Sequence, residues 1–122
     1  MNNIFVYCEI EENRIADVSL ELITRARGLA KDLNCQVEAI AIGEKLDWLP
    51  EICAQYGVSR LHIAEDKRLK HYLTLPHCQI VCDIFRREKP QIALMGATTV
   101  GRDLGPRILS LIHISEPTRQ YS

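Results

Sequence analysis

Apolar residues occur along this chain in short, nearly continuous runs, separated by stretches in which they recur at every third or fourth position. Residues 3–10 (NIFVYCEI), 36–42 (QVEAIAI), 60–64 (RLHIA) and 91–95 (QIALM) form the runs. All four read as strands; the first, apolar nearly throughout, is expected to be buried on both faces, and the last to be a buried parallel strand. Between them the period changes. Leu22, Ile23, Ala26, Leu29, Ala30 and Leu33 make one stripe of a helix over residues 20–33, with Ser19 as its cap and Asn34 as its stop. Asp47 is placed to cap a short second helix. Pro50 lies in its first turn, Leu49, Ile52, Cys53 and Tyr56 point inward, and Gly57 closes it. Ile80, Val81, Ile84 and Phe85 mark the inner side of a third helix over 76–88, halted by Lys89 and Pro90. A fourth is expected to begin near Gly101. Residues 11–14 read as a polar turn, 15–18 as a bridge and 65–75 as a loop.

Strands and helices therefore alternate throughout. Right-handed crossovers then give an α/β fold, a parallel sheet with helices on both faces. At 122 residues the chain has room for one domain with a real core, and neither repeats nor a low-complexity linker divide it. Fifteen basic residues against sixteen acidic ones, with no basic block, argue against nucleic acid as a partner. No apolar run reaches the length of a membrane span, and the first run reads as a strand rather than a signal peptide, so the expected location is cytoplasmic. Cys8, Cys35, Cys53, Cys78 and Cys82 are odd in number and mostly set in apolar segments, the usage of reduced, buried thiols.

The densest candidate chemistry lies where the fourth strand gives way to the fourth helix, in QIALMGATTVGRDLGPR. Gly96 and Gly101 have the spacing of a phosphate-binding loop, but Arg102 and Asp103 stand where lysine and a hydroxyl residue would hold phosphate and magnesium. Thr98, Thr99, Arg102 and the free N–H groups of a helix start offer a weaker anion site. The more conservative reading is a tight turn or a subunit interface formed by Gly96, Thr98, Thr99, Gly101, Arg102, Asp103 and Arg107. In it Asp103 supports the first helical turn, and Arg102 and Arg107 are in salt bridges. Glu9, Glu11 and Glu12 close the first strand; they would repel phosphate and read as a solvated turn. His77, Cys78 and Cys82 lack a second ligand pair for a closed zinc site and read as core, so no metal is expected. His62 reads as an edge-facing or satisfied side chain, His71 as a loop contact, and no nucleophile and base are brought together, which argues against an enzyme.

The segment GATTVGRDLGPR, from Gly96 to Arg107, resembles the G-A-T-x-x-G-R-D-L-A/G-P-R element of electron transfer flavoprotein alpha subunits. REKPQI at 87–92, Tyr7 to Glu9, VSLEL at 18–22 and the Tyr56 and Gly57 pair are similar to that family in the same order, over residues 3–108. The resemblance implies an adenine nucleotide alpha hydrolase-like three-layer fold and a mainly structural N-terminal domain that contacts the electron transfer flavoprotein beta subunit. It further implies a heterodimer carrying electrons from flavin dehydrogenases, such as the acyl-CoA dehydrogenases of fatty acid beta-oxidation, to a further acceptor. FAD would belong to a separate domain of the full-length parent, so this span is expected to bind no cofactor. The rival reading is a stand-alone nucleotide-binding domain of the universal-stress type. That type needs a G-x2-G-x9-G-Ser/Thr pattern, which Gly96, Gly101 and Gly105 do not match.

Beyond Ile108 the resemblance to the family stops. Residues 109–119 (LSLIHISEPTR) resemble the in-frame translation of a transposase-type sequencing adaptor, and 120–122 would then be index sequence. The expected organisation is a partial domain over 1–108 and a non-native tail over 109–122. The fold would be incomplete at its C-terminal end, with one sheet edge uncovered and a fragment poorly soluble or hungry for a partner.

Overall fold

A computed structural model describes residues 2–115. Its centre is β1 (Ile4–Cys8), every residue of which is buried. Two strands pair with it in parallel: β4 (Val37–Gly43), with Ile4 opposite Val37, and β6 (Ile92–Leu94), with Ile4 opposite Ile92. The fourth member, β5 (Arg60–Glu65), pairs with the outer side of β4, giving the order β5-β4-β1-β6. The sheet is parallel with helices on both faces, as the alternation predicts.

The apolar runs of the central strands have a direct structural cause. Successive side chains of a strand face opposite ways, so the central strands β1 and β4, sandwiched between helix layers, need apolar residues at nearly every position. The edge strands β5 and β6 are only partly buried, and the buried strand expected at 91–95 is a half-exposed edge. Ile4, Val6 and Cys8 face one layer with Ala39 and Ala41, against Ile23, Ala26 and Ala30 of α1 (Asp17–Leu33) and Leu49 and Cys53 of α2 (Leu49–Gln55). Phe5, Tyr7, Ile40 and Ile42 face the other. They meet Cys78, Val81, Cys82 and Phe85 of α3 (Thr74–Glu88) and Leu104 and Ile108 of α4 (Thr99–Ser115). The three layers are helix, sheet and helix.

Several local expectations give way to geometry. Residues 10–15 form a small antiparallel hairpin, β2 (Ile10–Glu11) with β3 (Arg14–Ile15), turning through Glu12 at φ 54°. Ser19 caps no helix: α1 starts at Asp17, and the buried Ser19 hydroxyl instead accepts the Glu9 N–H at 2.9 Å. Leu29 and Leu33 belong to the predicted stripe but lie 41% and 39% exposed, because the burying row is the narrower Ser19, Ile23, Ala26, Ala30. Asn34 does stop the helix, in the left-handed conformation at φ 57°. The cap position of α2 falls on Trp48, and Asp47 makes no capping bond. Ile80 is only partly buried, while His77, Cys78 and Cys82 supply inner positions of α3. The loop at 65–75 contains a 3-10 turn, Lys67–Leu69, capped by the Asp66 carboxylate.

α4 runs on through Leu109 and Leu111, both on its exposed side, while Ile112 packs against the α3 and α4 core. Pro117, which cannot continue a helix, and the last residues of the tail lie outside the described residues.

Candidate functional site

The chain leaves β1 in one direction to β4 and β5, then returns past β1 to β6. The order of the sheet therefore reverses between β1 and β6, at whose C-terminal ends open α/β sheets form their crevices. Glu9 follows β1 here, and residues 95–98 follow β6.

The crevice is closed from within. The Thr98 hydroxyl donates to Glu9 Oε2 at 2.5 Å and accepts the Gly101 N–H at 3.0 Å. Thr98 thereby caps the first turn of α4, in which the Arg102 N–H also reaches the Thr98 carbonyl at 2.8 Å. Gly96 and Gly101 are both buried, and a Cβ on Gly101 would collide with the Gly96 carbonyl oxygen. A Cβ on Gly96 would come 3.3 Å from Glu9 Oε2. The two glycines permit close backbone approach and a carboxylate of the same chain. A phosphate placed there would meet that negative charge.

One turn further on, Asp103 joins α4 to the start of α3 rather than supporting its own first turn. It accepts the Tyr72 hydroxyl at 2.7 Å, the Thr74 hydroxyl at 2.8 Å and the Arg107 guanidinium at 3.2 Å. Those three donors hold its carboxyl below the ordinary range, in that order of effect. Burial, then the bond to Asp103, pushes the Tyr72 phenol up to about 12. Of the two predicted arginine bridges only that of Arg107 forms; exposed Arg102 makes no ion pair among the described residues. Thr99 is exposed at the helix start. The structure thus gathers Gly96, Thr98 and Gly101 around Glu9 and Asp103 with Arg107 around α3, and leaves Thr99 and Arg102 facing solvent.

A second polar cluster, at the opposite end of the sheet, carries no simple sequence signal. His62 Nε2 lies 2.7 Å from Glu38 Oε1, and the Asn3 amide donates to Glu38 Oε2 at 2.8 Å. Glu88 approaches the same pair and accepts Arg60 and Arg87, each at 3.0 Å. The ligand atoms of Glu38, His62 and Glu88 lie within 4.8 Å of one another, a spacing a divalent ion can span. Both carboxylates are already fully bonded, however, and two guanidiniums balance their charge. A satisfied ion-pair network accounts for the cluster. Phe5 stacks on the His62 ring at 5.3 Å. What the sequence does offer is Glu38 inside an apolar run, because a buried strand acid needs partners.

The five cysteines are free thiols, and all but Cys35 are buried. Burial raises Cys8, and pushes Cys53 and Cys82 up to about 11, so none of these three is a ready nucleophile. His77 is buried in the α3 layer, and no helix of the described residues is long and apolar enough to cross a membrane.

Comparison with known proteins places the whole described domain in one match: the electron transfer flavoprotein domain, over residues 4–115. Among curated relatives, the "Electron transfer flavoprotein subunit alpha" of Megasphaera elsdenii is 40% identical over 105 residues, covering 86% of this chain and 31% of the relative. The "Acryloyl-CoA reductase electron transfer subunit beta" of Anaerotignum propionicum is 32% identical over 111 residues, covering 91% and 30%. "Protein FixB" of Clostridium saccharobutylicum is 33% identical over 110 residues, covering 90% and 33%. The chain spans about a third of the length of these relatives.

Proposed function

Because the chain belongs to the electron transfer flavoprotein domain family, we propose that it is the N-terminal domain of an alpha-type subunit and serves as a structural, partner-contacting module. The match over residues 4–115 is the observation that carries this reading. The relatives' names use both subunit letters; the alpha assignment rests on the likeness to the Megasphaera elsdenii protein and on the GRDLGPR segment.

The chemistry of the crevice agrees with a structural role. Glu9 supplies the only anion that the 96–101 turn needs, and Asp103 uses its bonds to lock α4 onto α3. In the complete protein the domain would pack beside a beta subunit, with FAD held by a separate domain. The assembly would be a soluble cytoplasmic electron carrier between flavin dehydrogenases, acyl-CoA dehydrogenases among them, and a further acceptor. It would not be an enzyme in its own right. We infer that residues 109–122 are translated adaptor rather than native sequence; the family match runs seven positions into that stretch, to residue 115, and so does not stop at Ile108 as the sequence reading expects.

The test is to read the same locus from independent, untrimmed DNA and to co-express the continuous frame with the neighbouring companion frame. The expected result is a longer frame departing from this chain after Ile108, whose product forms a one-to-one complex with a flavin spectrum. A genomic frame that retains residues 109–122 would overturn the adaptor assignment. A product that stays single and colourless would overturn the electron-carrier assignment.

A further inference from the structure

At the C-terminal ends of β1 and β4 lies an open cleft of about 820 Å³, beside the crevice that Glu9 fills. Its wall is formed by the β2 and β3 hairpin, the turn after β4 and the loop before α3. The volume is in the range of ligand sites. Two features of its lining are complementary.

The first is a pair of unused donors inside. Tyr7 is 5% exposed and His77 is 3% exposed, and both line the cleft. Among the described residues the Tyr7 hydroxyl has no hydrogen-bond partner. Among the described residues no polar side-chain atom is both sealed from solvent and unbonded, so that hydroxyl is open to the cleft that Tyr7 lines. His77 Nδ1 accepts the Leu73 N–H at 3.3 Å, and burial keeps the ring neutral by lowering its pKa. In the tautomer this bond assigns, the proton is on Nε2, which likewise has no partner among the described residues. Burial, then the nearby Glu9, raises the Tyr7 phenol and keeps its proton in place as well. Both groups, reached by solvent, offer a proton to an acceptor that enters the cleft.

The second feature is the charge of the mouth. Glu9, Glu11, Glu12 and Glu44 line it, against Lys45 and Lys70. An anionic ligand is repelled there, and a cation is drawn in. An acceptor deep inside and a cation at the mouth together describe a peptide loop carrying lysine or arginine, since every residue brings a main-chain carbonyl.

We propose that this cleft is the docking site for a basic loop of a partner chain. Its main-chain carbonyls accept from Tyr7 and His77, and its cationic side chain lies against Glu11, Glu12 and Glu44. The inference rests on the two-subunit reading only for the source of the loop. The cleft itself is tested without the partner.

The experiment is an NMR titration of the full, isotope-labelled chain with acetyl-Gly-Arg-Gly-amide. The glutamate analogue and guanidinium chloride serve as parallel arms. The arginine peptide is expected to shift the Tyr7 and His77 ring signals saturably and to weaken as salt rises. The glutamate peptide should bind roughly tenfold or more weakly. Neutralising the mouth with Glu11→Gln, Glu12→Gln and Glu44→Gln, the first two at exposed positions, should bring the two peptides to parity. Tyr7→Phe should weaken the arginine peptide several-fold. The proposal is overturned by the absence of saturable shifts at those rings, or by equal binding of both peptides to the unmodified chain. It is also overturned if the neutralised mouth keeps its preference, or if guanidinium alone reproduces the peptide's shifts.

Discussion

Thr98 and Glu9, eighty-nine positions apart, are joined by a hydroxyl-to-carboxylate hydrogen bond of 2.5 Å that ties the turn after β6 to the end of β1. The same hydroxyl accepts the Gly101 N–H and so begins α4. One side chain therefore secures both the closure of the crevice and the start of the helix. Thr98→Val is expected to destabilise the chain by about 1–2 kcal/mol, through a lost cap and an unanswered Glu9. Thr98→Ser should recover most of that, as read by urea denaturation.

The two glycines of greatest contrast are Gly101 and Gly28. A methyl group on Gly101 would meet the backbone carbonyl of Gly96, which cannot move without opening the turn, whereas nothing lies within 4 Å of the corresponding position at Gly28. Gly101→Ala should cost at least about 2 kcal/mol. Gly28→Ala, inside α1, should stabilise by about 0.5–1 kcal/mol, because alanine loses less backbone entropy in a helix. Thermal melts of the two variants should move in opposite directions.

Much of this fold is legible in the sequence because its main signal is physical and local. A strand covered on both faces must be apolar nearly throughout, and Ile4 to Cys8 and, Glu38 apart, Val37 to Gly43 are. Helix stops at Asn34 and before Pro90 are likewise local choices. What escapes is non-local. Ser19 looks like a helix cap until β1 is seen to deliver the Glu9 N–H to it. Asp103 looks like a first-turn acid until Tyr72, from the loop before α3, and Thr74, at the start of α3, reach it. Leu29 and Leu33 fit the period, but α1 meets the sheet along a narrower row than the period allows. The candidate loop is recognisable as a motif, yet its occupant, Glu9, comes from the far end of the chain.

Buried His77 makes stability depend on pH on the acid side of neutrality. Burial lowers its folded pKa below the ordinary 6.5, so the unfolded chain binds the proton that the folded chain resists. Its contribution is fully present above about 6.5 and declines as pH falls toward the folded value. Denaturant midpoints should drop between pH 7.5 and 5.5, and His77→Gln should flatten that part of the profile. Asp103 acts lower: its folded pKa is depressed below 3.8, so its contribution is lost only as pH falls below the ordinary carboxylate range. Asp103→Asn should remove that loss while leaving the slope near pH 6 intact.

The pair of Glu38 and His62 is a buried interaction with both partners satisfied. Glu38→Ala strands the His62 nitrogen and the Asn3 amide, and should cost about 1–3 kcal/mol. Glu38→Gln, which keeps an acceptor for Asn3, should cost less, and chelators should change neither variant nor the parent chain. A chelator-sensitive melting temperature would mean that the cluster holds a metal.

The reading of the 96–107 segment as a structural turn, filled by Glu9, is tested most directly by calorimetric titration of ATP into the 122-residue chain. A nucleotide-binding module would use this crevice for phosphate, and here the chain's own carboxylate stands in the way. The expected result is no saturable binding up to about 1 mM ATP. Saturable one-to-one binding that is abolished by altering Thr98 or Gly101 would contradict the account.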